Sequence, residues 1–258
     1  MGLVATIEAR ALSYQVGDTK LIDRVDLEID AGQVVGIIGP NGAGKSTLLS
    51  MMAGDLRGSG RLLVGGKDIS NMKSVALARL RAVLPQQTVV QFPFTGRQIV
   101  SMGRYPHQSE AANSADKDHA AVEAALAATD AALFADRIFP TLSGGERARV
   151  TIARVLAQEA PIMFLDEPTA ALDVGHEEKI MTSLAALASG GRLVVAAFHD
   201  LNVAAAHASR LAMVHHGRVV ADGSPREVLT SQRLSEVWQQ QMTVMPHPNR
   251  DCPLVLVP

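Results

Sequence analysis

Residues 34–47 read Val34-Val35-Gly36-Ile37-Ile38-Gly39-Pro40-Asn41-Gly42-Ala43-Gly44-Lys45-Ser46-Thr47. The stretch from Val34 to Ile38 is an apolar run with β-branched residues, the pattern of a strand buried on both faces. It feeds directly into Gly39 to Ser46, which fits G-x-x-x-x-G-K-[ST]. Leu48, Leu49, Met51 and Met52 then continue as a helix, with Gly54 placed to end it. A glycine-rich turn alone would explain the loop poorly, because the strand before it and the helix after it are the setting a phosphate loop requires. Its glycines let the backbone come close to a ligand. Its N–H groups and the positive helix end then face phosphates. Lys45 supplies a point charge for the β- and γ-phosphates, and Ser46 a hydroxyl for Mg²⁺.

Working outward, Ile162-Met163-Phe164-Leu165 ends in Asp166-Glu167. Acids at the carboxyl end of a buried strand stand at the sheet edge where ligands bind. A solvated strand end would explain them equally well if they stood alone. With a phosphate loop 121 residues upstream, Asp166 fits the carboxylate that serves Mg²⁺, and Glu167 is free to orient or deprotonate the attacking water. His199 closes a third apolar strand, Leu193 to Phe198. A lone histidine is usually surface or packing, but from a core-strand end it reaches a γ-phosphate oxygen. His215-His216 reads as a turn rather than a metal site.

Leu142-Ser143-Gly144-Gly145-Glu146 precedes a helix with Val150, Ile152, Ala153, Val155 and Leu156 on its apolar side. Ser143 suits an N-cap, and the N–H groups of Gly144 and Gly145 make a second anion site. Two such helix ends do not easily serve one nucleotide in one domain. A head-to-tail dimer, in which each end caps the nucleotide on the other copy's phosphate loop, resolves this.

The rest of the chain frames these motifs. Val25, Leu27 and Ile29 alternate with acids as a half-buried strand, closed by a turn at Asp30-Ala31-Gly32. Short strands are expected at 62–64 and 82–84, with a helix over Val75 to Leu80. From about Phe92 to Ala157 the pattern is helical, and alanine density favours helix from Ala120 to Ala135. Leu211 to Val214 and Arg218 to Ala221 read as a hairpin, and Ser224-Pro225-Arg226-Glu227 as a capping box that starts a helix. The tail from Pro246 reads as extended. The 258 residues suit one large domain or two small ones. A net charge of −2 excludes a generally basic nucleic-acid binder. A single cysteine, Cys252, excludes an internal disulfide framework. No apolar run approaches a membrane span. Met1 to Arg10 lacks the charged start and apolar stretch of a secretory leader, and a reducing, cytoplasmic setting is expected.

At this point the chain resembles the ATP-binding subunits of ABC transporters over almost its whole length. The resemblance implies an α/β P-loop NTPase core with a mixed sheet, an N-terminal antiparallel β subdomain and an inserted helical subdomain. It implies one nucleotide-binding domain, with about 1–90 and 158–245 as core, about 91–157 as the helical part and 246–258 as tail. Tyr14 sits where the family stacks a ring on adenine. Gly39, Pro40, Asn41, Gly42, Ala43, Gly44, Lys45, Ser46 and Thr47 form the Walker A loop. Gln86 matches the glutamine that senses Mg²⁺ and the membrane subunit, with Gln87 leaving the position open by one. Ser143, Gly144, Gly145 and Glu146 match the signature, where Glu146 departs from the usual glutamine. Asp173 matches the D-loop and His199 the switch histidine. Catalysis is thereby expected of Glu167, His199 and Gln86, and metal binding of Ser46, Gln86 and Asp166.

One phosphate loop and no membrane span is similar to bacterial importer subunits, whose membrane domains are separate chains. Phe92-Pro93-Phe94 and Met102-Gly103-Arg104-Tyr105-Pro106-His107 look like the group serving siderophore, haem and cobalamin uptake. The tail, with Trp238 and Met245-Pro246-His247-Pro248, is similar to that of haem importers. The resemblance implies ATP and Mg²⁺ and a second copy of the chain. It also implies polytopic permease subunits and, indirectly, a periplasmic binding protein, with no nucleic acid. Its place would be the cytoplasmic face of the inner membrane. Siderophore or cobalamin import is the alternative to haem. A soluble iron–sulfur assembly ATPase is the more distant one.

Overall fold

A computed structural model describes residues 6–88, 90–107 and 114–257. The first five residues of the stretch read for a leader lie outside the described residues. So do residues 108–113 of the helical segment and the last tail proline. Two compact units make up the chain, Met1–Asn71 with Ala185–Pro258, and Met72–Leu184.

In chain order the strands are β1 (Ile7–Val16), β2 (Thr19–Ile29), β3 (Val34–Ile38), β4 (Ser59–Val64), β5 (Lys67–Asp68), β6 (Arg81–Leu84), β7 (Ile162–Asp166), β8 (Leu193–Ala197), β9 (Arg210–His215), β10 (Arg218–Gly223), β11 (Thr243–Pro246) and β12 (Pro253–Leu256). The α-helices are α1 (Lys45–Ala53), α2 (Ser74–Leu80), α3 (Gly96–Ser101), α4 (Ser114–Ala128), α5 (Gly144–Ala157), α6 (Val174–Ser189), α7 (Leu201–His207), α8 (Pro225–Val228) and α9 (Ser231–Trp238). No helix among the described residues is long and apolar enough to cross a membrane.

In the first unit, β2-β1-β4-β5 form an antiparallel sheet. Val25, Leu27 and Ile29 of β2 are buried while Asp26 and Glu28 are exposed, as the alternation requires. The second sheet region runs β10-β9-β3-β8. β3 is parallel to both β8 and β9, and β9 is antiparallel to β10. All five residues of β3 and of β8 are buried, which is why both segments read as unbroken apolar runs. Gly36 is the gap in the β3 run. A Cβ there would lie 2.6 Å from the end of the Leu211 side chain, which would have to shift to admit it. His215 pairs with Arg218 across a two-residue loop, His216-Gly217, with φ of 48° and 73°. Positive φ at both positions is the hairpin turn that matches strand twist, and it accounts for the histidine pair as a turn. The tail folds back as the hairpin β11–β12.

In the second unit β6 and β7 pair in parallel, Arg81 with Ile162 through Leu84 with Leu165. The helices α3, α4 and α5 enclose a core of Ile99, Val100, Val122, Leu126, Phe134, Phe139, Leu142 and Val150. The helix expected from Ala120 to Ala135 stops at Ala128. Thr129 turns its hydroxyl back to the Ala125 carbonyl (3.1 Å), and Asp130 takes a left-handed φ of 52°. Local competition of this kind ends helices despite favourable composition. A 3₁₀ turn, Ala132–Phe134, follows.

α5 is matched to charge at both ends. Ser143 and Glu146 form a capping box at its start. At its end the buried Arg104 donates to the Ala157 carbonyl (2.7 Å), to Glu159 (2.7 Å) and to Asp118 (2.8 Å). His107 Nε2 donates to the Gln158 carbonyl at 2.9 Å. A cation on the last carbonyls complements the helix dipole. The segment Met102–His107 is a 3₁₀ turn pressed against that end. A Cβ at Gly103 would lie 2.3 Å from the Arg154 carbonyl oxygen. The Met-Gly-Arg-Tyr-Pro-His motif therefore has a structural task.

Candidate functional site

Three glycines of the loop from Gly39 to Gly44 have positive φ, 153° at Gly39, 77° at Gly42 and 108° at Gly44. Two are also held by contact. A Cβ on Gly39 would lie 2.1 Å from the Val214 carbonyl, and one on Gly44 2.7 Å from that of Leu21. Gly42 faces open space. No side chain caps α1 at Gly44, and a helix start of this kind suits an anion. Lys45 is buried, and its Nζ donates to the carbonyls of Gly39 (2.9 Å) and Pro40 (3.2 Å). These bonds curl the ammonium over the loop instead of letting it trail into solvent. Pro40, Ser46 and Thr47 are half-buried, Ala43 is buried and Asn41 is exposed.

His199 belongs to the same unit. β3 and β8 pair Ile37 with Ala197, and each chain runs two residues further to Gly39 and to His199. Parallel register therefore delivers the loop and the histidine to one sheet edge. His199 is exposed there, and Asp200 beside it caps α7 by accepting from Asn202 N (2.7 Å) and Val203 N (3.2 Å). Tyr14, half-buried on β1, lines a cavity of about 470 Å³ with Lys20, Asp23, Arg24 and Arg57. Arg218, the foremost cause, holds the Asp23 carboxyl below the usual carboxylate range.

In the second unit a cavity of about 480 Å³ brings Gln86, Gln87, Gly144, Asp166, Glu167 and Ala171 together. Both glutamines line it, so geometry does not choose between them. Asp166 is buried at the end of β7, and Glu167 is half-buried next to it. Glu167 has a left-handed φ of 51°. A non-glycine residue in that region carries strain, which concentrates at functional sites. Gly144 has open space where a Cβ would stand, and Gly145 is 3.2 Å from the Ala171 carbonyl by the same measure.

The Ser143 hydroxyl accepts from Glu146 N (3.3 Å), and the Glu146 carboxylate accepts from Ser143 N (2.8 Å) and Arg137 (2.7 Å). The Ser143 backbone bond, ahead of the arginine, holds the Glu146 carboxyl below its ordinary value. Asp173 accepts from His176 N at 2.9 Å, so it does cap α6. Motif reading passes over Arg137, Arg147 in the cavity wall, and His176. Only His176 leaves a trace in the sequence, three residues beyond an aspartate that starts a helix.

The proposed metal donors are a hydroxyl, a carboxylate and an amide oxygen, all hard ligands that fit Mg²⁺. Among the described residues no group of three His, Cys, Asp or Glu gathers as a cage. Magnesium rarely asks for one, since nucleotide and water supply most of its ligands.

A family model described as ABC transporter matches residues 22–170. The Nocardia farcinica protein called hemin import ATP-binding protein HmuV is 48% identical over 92% of this chain and 82% of its own length. The Halobacterium salinarum protein called cobalamin import ATP-binding protein BtuD is 44% identical over 93% of this chain and 60% of its own. A metal-chelate type ABC transporter solved in an inward-facing conformation superposes with a TM-score of 0.81 at 26% identity, over 100% of this chain and 98% of that one. A dimeric ATP-binding cassette solved after hydrolysis, with ADP and Pi bound, gives 0.76 at 28% identity, over 84% of this chain and 98% of that one. The matched span takes in the phosphate loop, both glutamines, the signature and the acids at the end of β7, and on that agreement the chain belongs to the ABC transporter family.

Proposed function

We propose that this ATP-binding cassette, an ATPase coupled to transport as its family implies, powers haem import through separate membrane subunits. The observation that carries the catalytic part is Glu167, placed beside Asp166 by a left-handed backbone in a cavity shared with Gln86 and Gly144. In this reading the N–H groups of Gly39 to Thr47 cradle the phosphates of ATP, Lys45 pairs with the β- and γ-phosphates, and Tyr14 stacks on adenine. Ser46, Gln86 and Asp166 would hold Mg²⁺, which neutralises charge on the phosphates when bound. Glu167 orients the attacking water and draws its proton, and His199 hydrogen-bonds a γ-phosphate oxygen. Ser143, Gly144, Gly145, Glu146 and Asp173 close on the nucleotide of a second copy in a head-to-tail dimer. The groove at Gln86 receives the permease, which places the chain on the cytoplasmic face of the inner membrane. A periplasmic binding protein hands substrate to that permease.

Haem is favoured by the hemin-import relative and by the tail residues from Trp238 to Pro248. The cobalamin-import relative supports the second reading, uptake of cobalamin or a siderophore. ATP-driven haem uptake into proteoliposomes, with this chain and its copurifying permease, tests both. Uptake is expected for the wild type, with a loss of about 10²-fold or more in Glu167→Gln. Hydrolysis without haem uptake would move the substrate to cobalamin or a siderophore. Normal turnover in Glu167→Gln would remove that residue from its role.

A further inference from the structure

Asp173 has more holding it than its helix cap. The His176 ring places Nδ1 at 2.9 and 2.8 Å from the two Asp173 carboxylate oxygens. On the far side of the ring, Nε2 lies 2.9 Å from a guanidinium nitrogen of Arg149 on α5. Arginine offers only donors and keeps its proton. Nε2 must therefore accept, and a ring that accepts at Nε2 carries its proton on Nδ1, from which it donates to Asp173. The geometry thus selects one tautomer and the neutral state.

The surrounding charges leave this link intact. Arg149 also donates to the Asp130 backbone carbonyl (3.3 Å) and lies over the Phe134 ring at 4.7 Å. The Asp130 carboxylate accepts from Lys179 at 2.6 Å and is held below the usual range chiefly by that bond. The groups facing the imidazole are therefore Asp173, Arg149, Asp130 and Lys179. Asp130 and Lys179 satisfy each other, so His176 connects Asp173 to Arg149.

We propose that His176 is a positioning residue whose neutral, Nδ1-protonated ring ties the signature helix α5 to Asp173. The role in turnover rests on the reading of Asp173 as a nucleotide-interface residue. The α6 cap is made by the His176 backbone N–H, so it does not depend on the imidazole. What the imidazole adds is the reach from Asp173 to Arg149. A residue that only capped the helix would leave Arg149 out.

Nitrogen-15 imidazole spectra of the full chain test the link directly, with His176→Gln identifying the signal. At about pH 8 the expected tautomer has Nδ1 protonated and Nε2 bare. A proton on Nε2 at that pH overturns the proposal. The second readout is ATP turnover at about pH 8 in His176→Gln and His176→Ala. Both keep the backbone cap of α6, and only glutamine keeps an amide oxygen for Arg149. Turnover is expected to fall about 3- to 10-fold in His176→Ala and to be largely restored in His176→Gln. Equal turnover in the two variants overturns the role in turnover. No hydrolysis by any of the three chains at pH 8 overturns the proposed function itself, while the spectra still decide the link.

Discussion

Glu146 stands where the signature usually carries glutamine, and its carboxylate explains how the exchange is tolerated. An amide oxygen can also accept from Ser143 N, so the capping box survives in either form. What the carboxylate adds is the pair with Arg137 and a dependence on acid. Because its folded pKa is depressed, its contribution to stability is present above the ordinary glutamate value of 4.5 and is lost as pH falls below it. Glu146→Gln is therefore expected to be less stable than the wild type at pH 7, by a margin that shrinks as pH falls below 4.5. Urea midpoints at pH 7 and below 4.5 check this, and an advantage that does not shrink in acid would contradict it. The Ser143 cap was legible from residue type and position. Arg137, nine residues away and outside the helix, was not, because no local spacing specifies that contact.

At the scale of elements, α5 carries the signature, and its far end is closed by a segment about fifty residues earlier in the chain. Arg104 is 6% exposed and serves the Ala157 carbonyl and two carboxylates. Removing a buried charge leaves its partners unmatched, which typically costs about 3 kcal/mol. Arg104→Ala should lower unfolding stability by roughly that amount, read from denaturant curves. A change under about 1 kcal/mol would mean that water serves the helix end equally well. In the sequence the Met-Gly-Arg-Tyr-Pro-His run marks a likeness to one importer group. In the structure it is also a C-terminal cap. The end of α4 has a similar lesson. Alanine content favours continuation past Ala128, and one threonine hydroxyl with one left-handed aspartate overrides it.

For the molecule as a whole, two helix N-termini with glycine-rich entries, at α1 and at α5, point to assembly of two copies around nucleotide. If Glu167 has the role proposed for it, Glu167→Gln is expected to shift from monomer to dimer mass when ATP is added, by light scattering on a sizing column. A mass that ATP leaves unchanged would remove the sandwich from the mechanism. The sequence by itself determined the parts whose chemistry is local. Phosphate binding needs glycines, a lysine and a hydroxyl at fixed offsets after a buried strand. The buried strands β3, β7 and β8 announce themselves as apolar runs, and N-caps lie within four residues of what they cap. The tertiary structure decided what depends on partners far along the chain. It set the strained backbone of Glu167, the register that brings Gly39 and His199 to one sheet edge, and the ties from Arg104 to α5 and from Arg149 through His176 to Asp173. Those contacts arise only when distant segments share a surface, and no short spacing records which segments will meet.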